Sequence, residues 1–211
     1  MTTSSDSAST VTKIEPSIVS RPVYGKLKVT NAAHHLFIAD GDGGGAVLDA
    51  LGSASEEKLA NCEILYVKGL SGKDDSEAIQ ALACPRVYVG PSTAAALPRL
   101  NKTLEAVRMG TQIYLAGSEG GMGVFMQACM AAGIDFQSLQ TEHRGSLARR
   151  MQCVHCKGIT EHVTTQPANC EHCGLLLLVR DHYSRRIGAF QGVCINAEDP
   201  TDVPQKEELF P

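Results

Sequence analysis

Four short apolar runs punctuate the first two thirds of the chain: His35 to Ala39, Ile64 to Val67, Arg86 to Val89 and Gln112 to Ala116. Each is four or five residues long, rich in β-branched or aromatic side chains, and flanked by Gly, Pro or Asp. That pattern predicts buried strands. Ala-rich segments at Gly44–Leu51, Asp75–Leu82, Ser92–Met109 and Gly120–Ala132 lie between and after the runs and are long enough for helices. The third should break near Pro98, and the Ser92 hydroxyl can cap its start by accepting an orphan N–H bond. Strand and helix in alternation predict an α/β fold, a doubly wound parallel sheet with helices on both faces. From residue 150 onward the pattern turns strand-like. An apolar run, Leu175 to Val179, is followed by a dense polar stretch holding Arg180, Asp181, His182, Tyr183, Arg185 and Arg186. It reads either as a solvated hairpin or as a docking surface, since Arg and Tyr are common interface anchors. The expected division is a disordered Ser/Thr-rich tail over 1–20, an α/β domain over 21–147, a small β-rich domain over 148–197 and an acidic tail over 198–211.

Composition narrows the function classes. Of 211 residues, 23 are acidic and 19 basic, giving a net charge of −4 and no electrostatic reason for general nucleic-acid or membrane-surface binding. No apolar run approaches the roughly 20 residues of a membrane-spanning helix. The opening MTTSSDSASTVTKIEPS has no apolar core of an export signal, so a cytoplasmic location is expected. There the eight cysteines should be thiols or metal ligands rather than disulfides.

Their spacing separates them into two groups. Cys153, Cys156, Cys170 and Cys173 form two CxxC pairs with 13 residues between them. Two residues between cysteines let a tight knuckle present both sulfurs to one ion, and two such knuckles make a four-thiolate tetrahedral site. The expected architecture is a zinc ribbon, with Zn2+ the first choice and iron an alternative. Gly158 and Gly174 are expected to relieve the backbone after each knuckle. Such a site is structural, because four protein ligands leave no open position, and a unit this small needs the metal's folding free energy. A pair of unligated redox dithiols is the competing reading. His155 and His172 lie inside the knuckles and are expected to point outward. Cys62, Cys84, Cys129 and Cys194 are expected to be free thiols.

Two glycine loops follow strands. Asp40 to Gly45 leads into the first helix and Gly117 to Met122 into the last. In a parallel sheet both loops open at the carboxyl edge, where glycines admit a phosphate and a helix N-terminus supplies N–H donors. Candidate cofactor contacts are Gly43, Gly44, Gly117, Ser118, Glu119 and Gly120. Gly-rich turns equally serve backbone geometry alone, and Asp40 and Asp42 place negative charge where a pyrophosphate would approach.

HLFIADGDGGGAVLDAL and GTQIYLAGSEGGMGVFMQACMAAGIDFQSLQTEHRG resemble the first and last units of the nucleotide-binding half of ferredoxin reductases, over residues 33–145. That resemblance implies a five-stranded parallel sheet with Gly117 to Met122 near the nicotinamide end of the crevice. Departures are Gly45-Ala46 in place of the family's Thr-Pro, Ala116 in place of its Cys and Ser118 in place of its Pro. Only about thirty residues precede the first strand, too few for the flavin barrel that normally comes before this module.

The run MQCVHC…CEHCGLLLLVRDHYSRRIGAFQGV, joined to this reductase-like half, resembles the small accessory subunits of bacterial dimethylamine monooxygenases, haem-dependent oxidative N-demethylases. The resemblance implies a hetero-oligomeric oxidoreductase that converts dimethylamine, O2 and NADPH to methylamine and formaldehyde. Haem would sit on a catalytic partner subunit, and flavin and an iron–sulfur cluster on a reductase partner. The chain itself has no haem-ligand motif and no [2Fe–2S] cysteine pattern. Within such a complex it either completes the reductase, its crevice holding NADPH against a partner's flavin, or acts as an adaptor without chemistry of its own. The alternative outside this class is a nucleic-acid-binding or general protein-interaction zinc ribbon.

Overall fold

The computed structural model describes residues 20–69 and 73–211. The disordered tail expected over 1–20 therefore lies, except for its last residue, outside the described residues. The first unit runs β1 (His34–Asp40), α1 (Gly43–Leu51), α2 (Glu56–Ala60), β2 (Cys62–Val67), α3 (Ser76–Gln80), β3 (Arg86–Gly90), α4 (Thr93–Glu105), β4 (Thr111–Gly117), α5 (Glu119–Ala131) and β5 (Leu139–His143). The five strands form one sheet in the order β3-β2-β1-β4-β5, with every pair parallel.

Side chains alternate across a strand, so the central strand feeds two cores. Leu36 and Ile38 of β1 join Leu65, Leu115, Leu100 and Phe125 on the face covered by α4 and α5. Phe37 and Ala39 join Ile64, Tyr114, Val47 and Leu51 on the face covered by α1. Phe37 and Tyr114 stack there at 4.2 Å between ring centroids. Burial on both faces is why β1 reads as a continuous apolar run rather than an alternating one.

Two local expectations need correction, and one helix is additional. The helix expected to break near Pro98 runs unbroken from Thr93 to Glu105. Proline removes one backbone bond, and burial of Ala96, Leu100 and Leu104 against the sheet outweighs that loss. Its start is as expected, with the Ala95 N–H donating to Ser92 Oγ at 3.2 Å. The segment expected as a helix over Asp75–Leu82 shortens to Ser76–Gln80. Helix α2 was not anticipated, although Ser55 caps it and Glu56 and Glu57 fill its first turn.

The edge at β5 is covered by the segment that precedes β1. The Gly25 N–H donates to Thr141 O at 2.8 Å, Leu27 N–H to Glu142 Oε2 at 2.7 Å and Lys28 N–H to Gln140 Oε1 at 2.9 Å. The first bond satisfies one backbone carbonyl of the strand edge, and the other two hold the segment over that edge through β5 side chains.

The second unit comprises β6 (Arg149–Cys153), β7 (Ile159–Val163), β8 (Thr165–Gln166), β9 (Ala168–Asn169), β10 (Leu176–Ser184), β11 (Ala189–Cys194) and β12 (Glu207–Glu208). Its main sheet has the order β7-β6-β11-β10-β9, and β12 pairs with β8. The acidic tail expected over 198–211 folds back at its end. Leu209 and Phe210 donate their N–H groups to Thr164 O at 3.0 and 2.9 Å, and Leu147 N–H donates to Pro211 O at 2.6 Å. The Phe210 ring is buried on the Arg149 guanidinium. Composition identified the polar majority of this segment, but one aromatic residue decides where its end lies.

The two units pack against each other. Gly123 of α5 meets Gly188 so closely that a Cβ on either would lie 2.7 or 2.4 Å from the other's carbonyl oxygen. Arg150 Nη1 donates to Ile187 O at 2.6 Å, and Arg185 lies over the Phe136 ring at 4.7 Å. Arg149 is 3 % exposed, held between Phe190 and Phe210 at 4.1 and 3.9 Å, with Nη2 donating to Asp181 Oδ1 at 2.6 Å. Much of the polar hairpin is thus spent within the chain: Tyr183 is buried against Phe190, and Arg185 packs on the α/β unit. Arg180, His182 and Arg186 remain exposed. Among the described residues, no helix is long and apolar enough to cross a membrane.

Candidate functional site

The four knuckle cysteines converge. Their sulfurs all lie within 4.8 Å of one another, with Cys153 Sγ 3.8 Å from Cys173 Sγ and Cys156 Sγ 3.6 Å from Cys170 Sγ. A tetrahedron of thiolates around zinc, with bonds of about 2.3 Å, requires sulfurs about 3.8 Å apart. The donor set and its spacing therefore fit a thiolate-bound ion of zinc's size.

The two knuckles are the same turn made twice. Lys157 N–H donates to Cys153 O and Gly174 N–H to Cys170 O, both at 2.9 Å. Cys153 N–H donates to Gly158 O at 3.0 Å and Cys170 N–H to Leu175 O at 2.9 Å. The residue after each second cysteine is left-handed, Lys157 at φ +64° and Gly174 at φ +75°. Gly174 meets the expectation for it, whereas in the first knuckle the left-handed position is Lys157. Gly158 is small for a different reason: a Cβ there would lie 2.3 Å from the His172 ring. His172 Nε2 donates to Ile159 O at 2.8 Å, so that histidine braces the knuckle from outside, and His155 is exposed.

Two of the clustered thiols are shifted in opposite directions. Burial opposes the Cys170 thiolate, yet N–H groups of Cys173 and His172 and the neighbouring thiols bring its pKa down to about 6. The Leu175 N–H favours a Cys173 thiolate, but burial and the adjacent cysteines push its pKa up to about 12. Crowded thiolates repel, and a bound cation removes that conflict.

A second feature lies at the carboxyl edge of the parallel sheet. A crevice of about 770 Å³ separates the glycine loops from the second unit, lined by Ser118, Gly120, Gly121, Val124, Leu97 and His162 among others. Of the expected cofactor contacts, Ser118 and Gly120 are on this wall, while Gly43, Gly44, Gly117 and Glu119 lie behind it. A Cβ on Gly43 would sit 2.3 Å from Ala116 O, and one on Gly44 2.7 Å from Asp75 Cβ. These two glycines let α1 lie directly on the sheet. The Glu119 side chain is buried and accepts a hydrogen bond from Tyr24 Oη at 3.1 Å.

Asp40 fills the space between the two loops. Its Oδ1 accepts from Ser118 N–H at 3.0 Å and its Oδ2 from Ser118 Oγ at 2.6 Å, while Ser118 Oγ accepts from Gly121 N–H at 3.1 Å. The Ser118 N–H is thus taken by the protein's own carboxylate and the Gly121 N–H by the capping hydroxyl, which places a negative charge beside the start of α5 where a phosphate would approach. Gly117, at φ +132°, and Gly121 have no room for a Cβ because Asp40 occupies it. The cations on the wall are also engaged. Arg144 pairs with Glu142 and Asp49 at 2.7 and 2.8 Å, Arg150 with Glu161 at 2.8 Å, and Lys68 with Asp74 at 2.9 Å. These residues do not fit the pyrophosphate of a nicotinamide nucleotide. The sequence displayed Asp40 only as a repelling charge; its partner Ser118 is 78 residues away.

Burial pushes the Asp40 pKa up to about 6, against the opposing hydrogen bonds from Ser118 and the field of His143. The native state then binds a proton at higher pH than the unfolded chain does. Stability attached to Asp40 is full below about pH 4 and is lost as pH rises through about 6, by about 3 kcal/mol. Asp40→Asn should flatten that part of the curve; denaturant midpoints measured across this pH range check it, and an unchanged slope would count against the assignment.

Comparison with known proteins identifies relatives. The family described as "Dimethylamine monooxygenase subunit DmmA-like, N-terminal domain" matches residues 16–139, and its C-terminal counterpart matches residues 150–193. A curated protein of Ectopseudomonas mendocina (strain ymp), named heme-dependent oxidative N-demethylase delta subunit, is 30% identical over 150 residues, covering 67% of this chain and 84% of that protein. Among solved structures, the ferredoxin reductase of carbazole 1,9a-dioxygenase aligns at 18% identity and TM-score 0.38 over 56% of this chain and 34% of its own. An intact type IV self-sufficient cytochrome P450 monooxygenase aligns at 16% identity and TM-score 0.43 over 83% of this chain and 22% of its own. The chain thus spans about a third and a fifth of those two structures. With two consecutive family matches and a relative covered over most of its length, the chain belongs to the DmmA-like family of dimethylamine monooxygenase subunits.

Proposed function

We propose that this protein is an accessory subunit of a cytoplasmic, haem-dependent monooxygenase complex that converts dimethylamine, O2 and NADPH to methylamine and formaldehyde. The name of its Ectopseudomonas mendocina relative supports the complex. Haem and the flavin and iron–sulfur centres belong to partner subunits in this reading. The chain is a structural adaptor rather than a catalytic subunit. Its second unit is a zinc ribbon held by Cys153, Cys156, Cys170 and Cys173, whose separations support a structural ion.

The observation that carries the adaptor role is Asp40. Its carboxylate accepts both the N–H and the hydroxyl of Ser118 at the α5 N-terminus and sets a negative charge there, and among the described residues the crevice offers no unpaired lysine or arginine in exchange. A pyrophosphate would meet a like charge with no free cation to offset it. Titrating the purified chain with NADPH should give no saturable binding by calorimetry or fluorescence at concentrations up to about 1 mM, the weak end of specific affinities. Micromolar binding abolished by Gly120→Val would instead support a nucleotide held in the crevice against a partner's flavin.

A further inference from the structure

The opposite end of the parallel sheet carries a groove of about 470 Å³ along the C-terminal half of α4 and the amino ends of β1 and β4. Four cations from three segments line it: Arg86 of β3, Arg99 and Lys102 of α4, and Arg108 of the loop before β4. The chain as a whole carries a net charge of −4, yet among the described residues only one carboxylate, Glu63, lies in this groove. Glu63 is engaged by Arg86 at 2.9 Å and by Arg99 at 4.0 Å. Among the described residues, Lys102 and Arg108 form no ion pair, and both are exposed. This contrasts with the crevice at the other edge, where each described lysine and arginine already has a partner. A helix dipole accounts for a lysine in the last turn of α4; it does not account for cations converging from β3 and a loop.

We propose that this groove docks an acidic segment of a partner polypeptide. Charge complementarity selects the sign of the occupant. The floor selects the class: Leu36 and Val107 give it an apolar base, and Met109 stands fully exposed just beyond Arg108. A free phosphate uses neither feature. No Phe, Tyr or Trp lines the groove to stack a base, so a nucleic acid has no platform there. A peptide carrying carboxylates beside an apolar residue uses both the cations and the floor. The proposal stands apart from the redox reading of the complex and does not require it.

The test uses the full-length chain and a fluorescein-labelled peptide of about ten alternating Glu and Leu residues, read by anisotropy. Lys102→Glu with Arg108→Glu should weaken binding at least about tenfold. Lys26→Glu with Lys28→Glu, the same charge change at two exposed positions beside the β5 edge, should leave it within about twofold. All four side chains are exposed, and matching thermal midpoints confirm intact folds. Equal weakening by both double variants, no weakening by either, or no peptide binding to the parent chain overturns the proposal. Displacement of the peptide by inorganic phosphate at about its own affinity, or tighter binding of a labelled oligonucleotide, also overturns it, in favour of an anion or nucleic-acid site.

Discussion

Cys170→Ser is expected to abolish stoichiometric metal binding and to unfold the second unit. Structural zinc contributes on the order of 10 kcal/mol to the folding of small modules, more than a unit of this size gains from its own core. The sulfurs of Cys156 and Cys170 lie 3.6 Å apart, so losing one leaves the remaining thiolates crowded without the ligand set that resolves the crowding. Metal analysis of the parent chain should give about one zinc per chain, and a strong chelator should reproduce the variant's behaviour. Limited proteolysis should then cut within residues 150–195 while the α/β unit survives, because that unit has two apolar cores of its own. Cys194→Ser is the control, since Cys194 lies outside the cluster and should leave metal content unchanged. Iron in place of zinc would change the ion but not the fold argument; full stability of Cys170→Ser without metal would contradict it.

Gly43→Ala is expected to destabilise the α/β unit by about 2–4 kcal/mol, a large effect for one methyl group. The added Cβ would lie 2.3 Å from Ala116 O and 2.6 Å from Gly117 N, backbone atoms of the central sheet that cannot rotate away. Helix α1 must then lift from β4, opening the core that holds Val47, Leu51 and Phe37. This distinguishes a packing glycine from a phosphate-binding one. A cofactor glycine loses affinity on substitution while the apo chain keeps its midpoint; Gly43→Ala should lower the thermal midpoint of the chain with no ligand present. Gly45→Ala is the companion measurement. The space beside Gly45 is bounded only by Asp75 Oδ2 at 3.7 Å, so alanine there should be neutral or slightly stabilising.

The contrast between neighbouring glycines shows where sequence reading reaches and where it stops. The strands were legible because burial on both faces imposes continuous apolar runs, as at Leu36 to Ala39. The convergence of the four cysteines was legible because each knuckle is built from residues close in sequence, so spacing nearly determines geometry. A Gly-rich loop is different. Gly43, Gly44 and Gly45 look equivalent in sequence, yet what each one faces is set by Ala116, Asp75 and the twist of the sheet. Asp40 is the same case: its role depends on a serine on another strand–helix junction. The Arg149 sandwich requires Phe190 and Phe210 to arrive from β11 and from the end of the chain. No periodicity marks such a meeting. Nor does it mark the four cations of the α4 groove, which are dispersed over 23 positions and gathered by the fold.

In the proposed function this chain supports, without itself catalysing, haem-dependent amine oxidation by a multi-subunit enzyme. The most direct measurement is to purify the complex from cells that express the partner genes with and without this chain, and to assay dimethylamine-dependent NADPH oxidation together with haem absorbance. The account predicts that the tagged chain co-elutes with a haem-bearing subunit and a flavin/iron–sulfur subunit. It also predicts that omitting the chain, or using Cys170→Ser, disperses the complex and lowers turnover while haem stays on its own subunit. Recovery of the chain free of any haem protein, or an intact and fully active complex formed without it, would contradict the account.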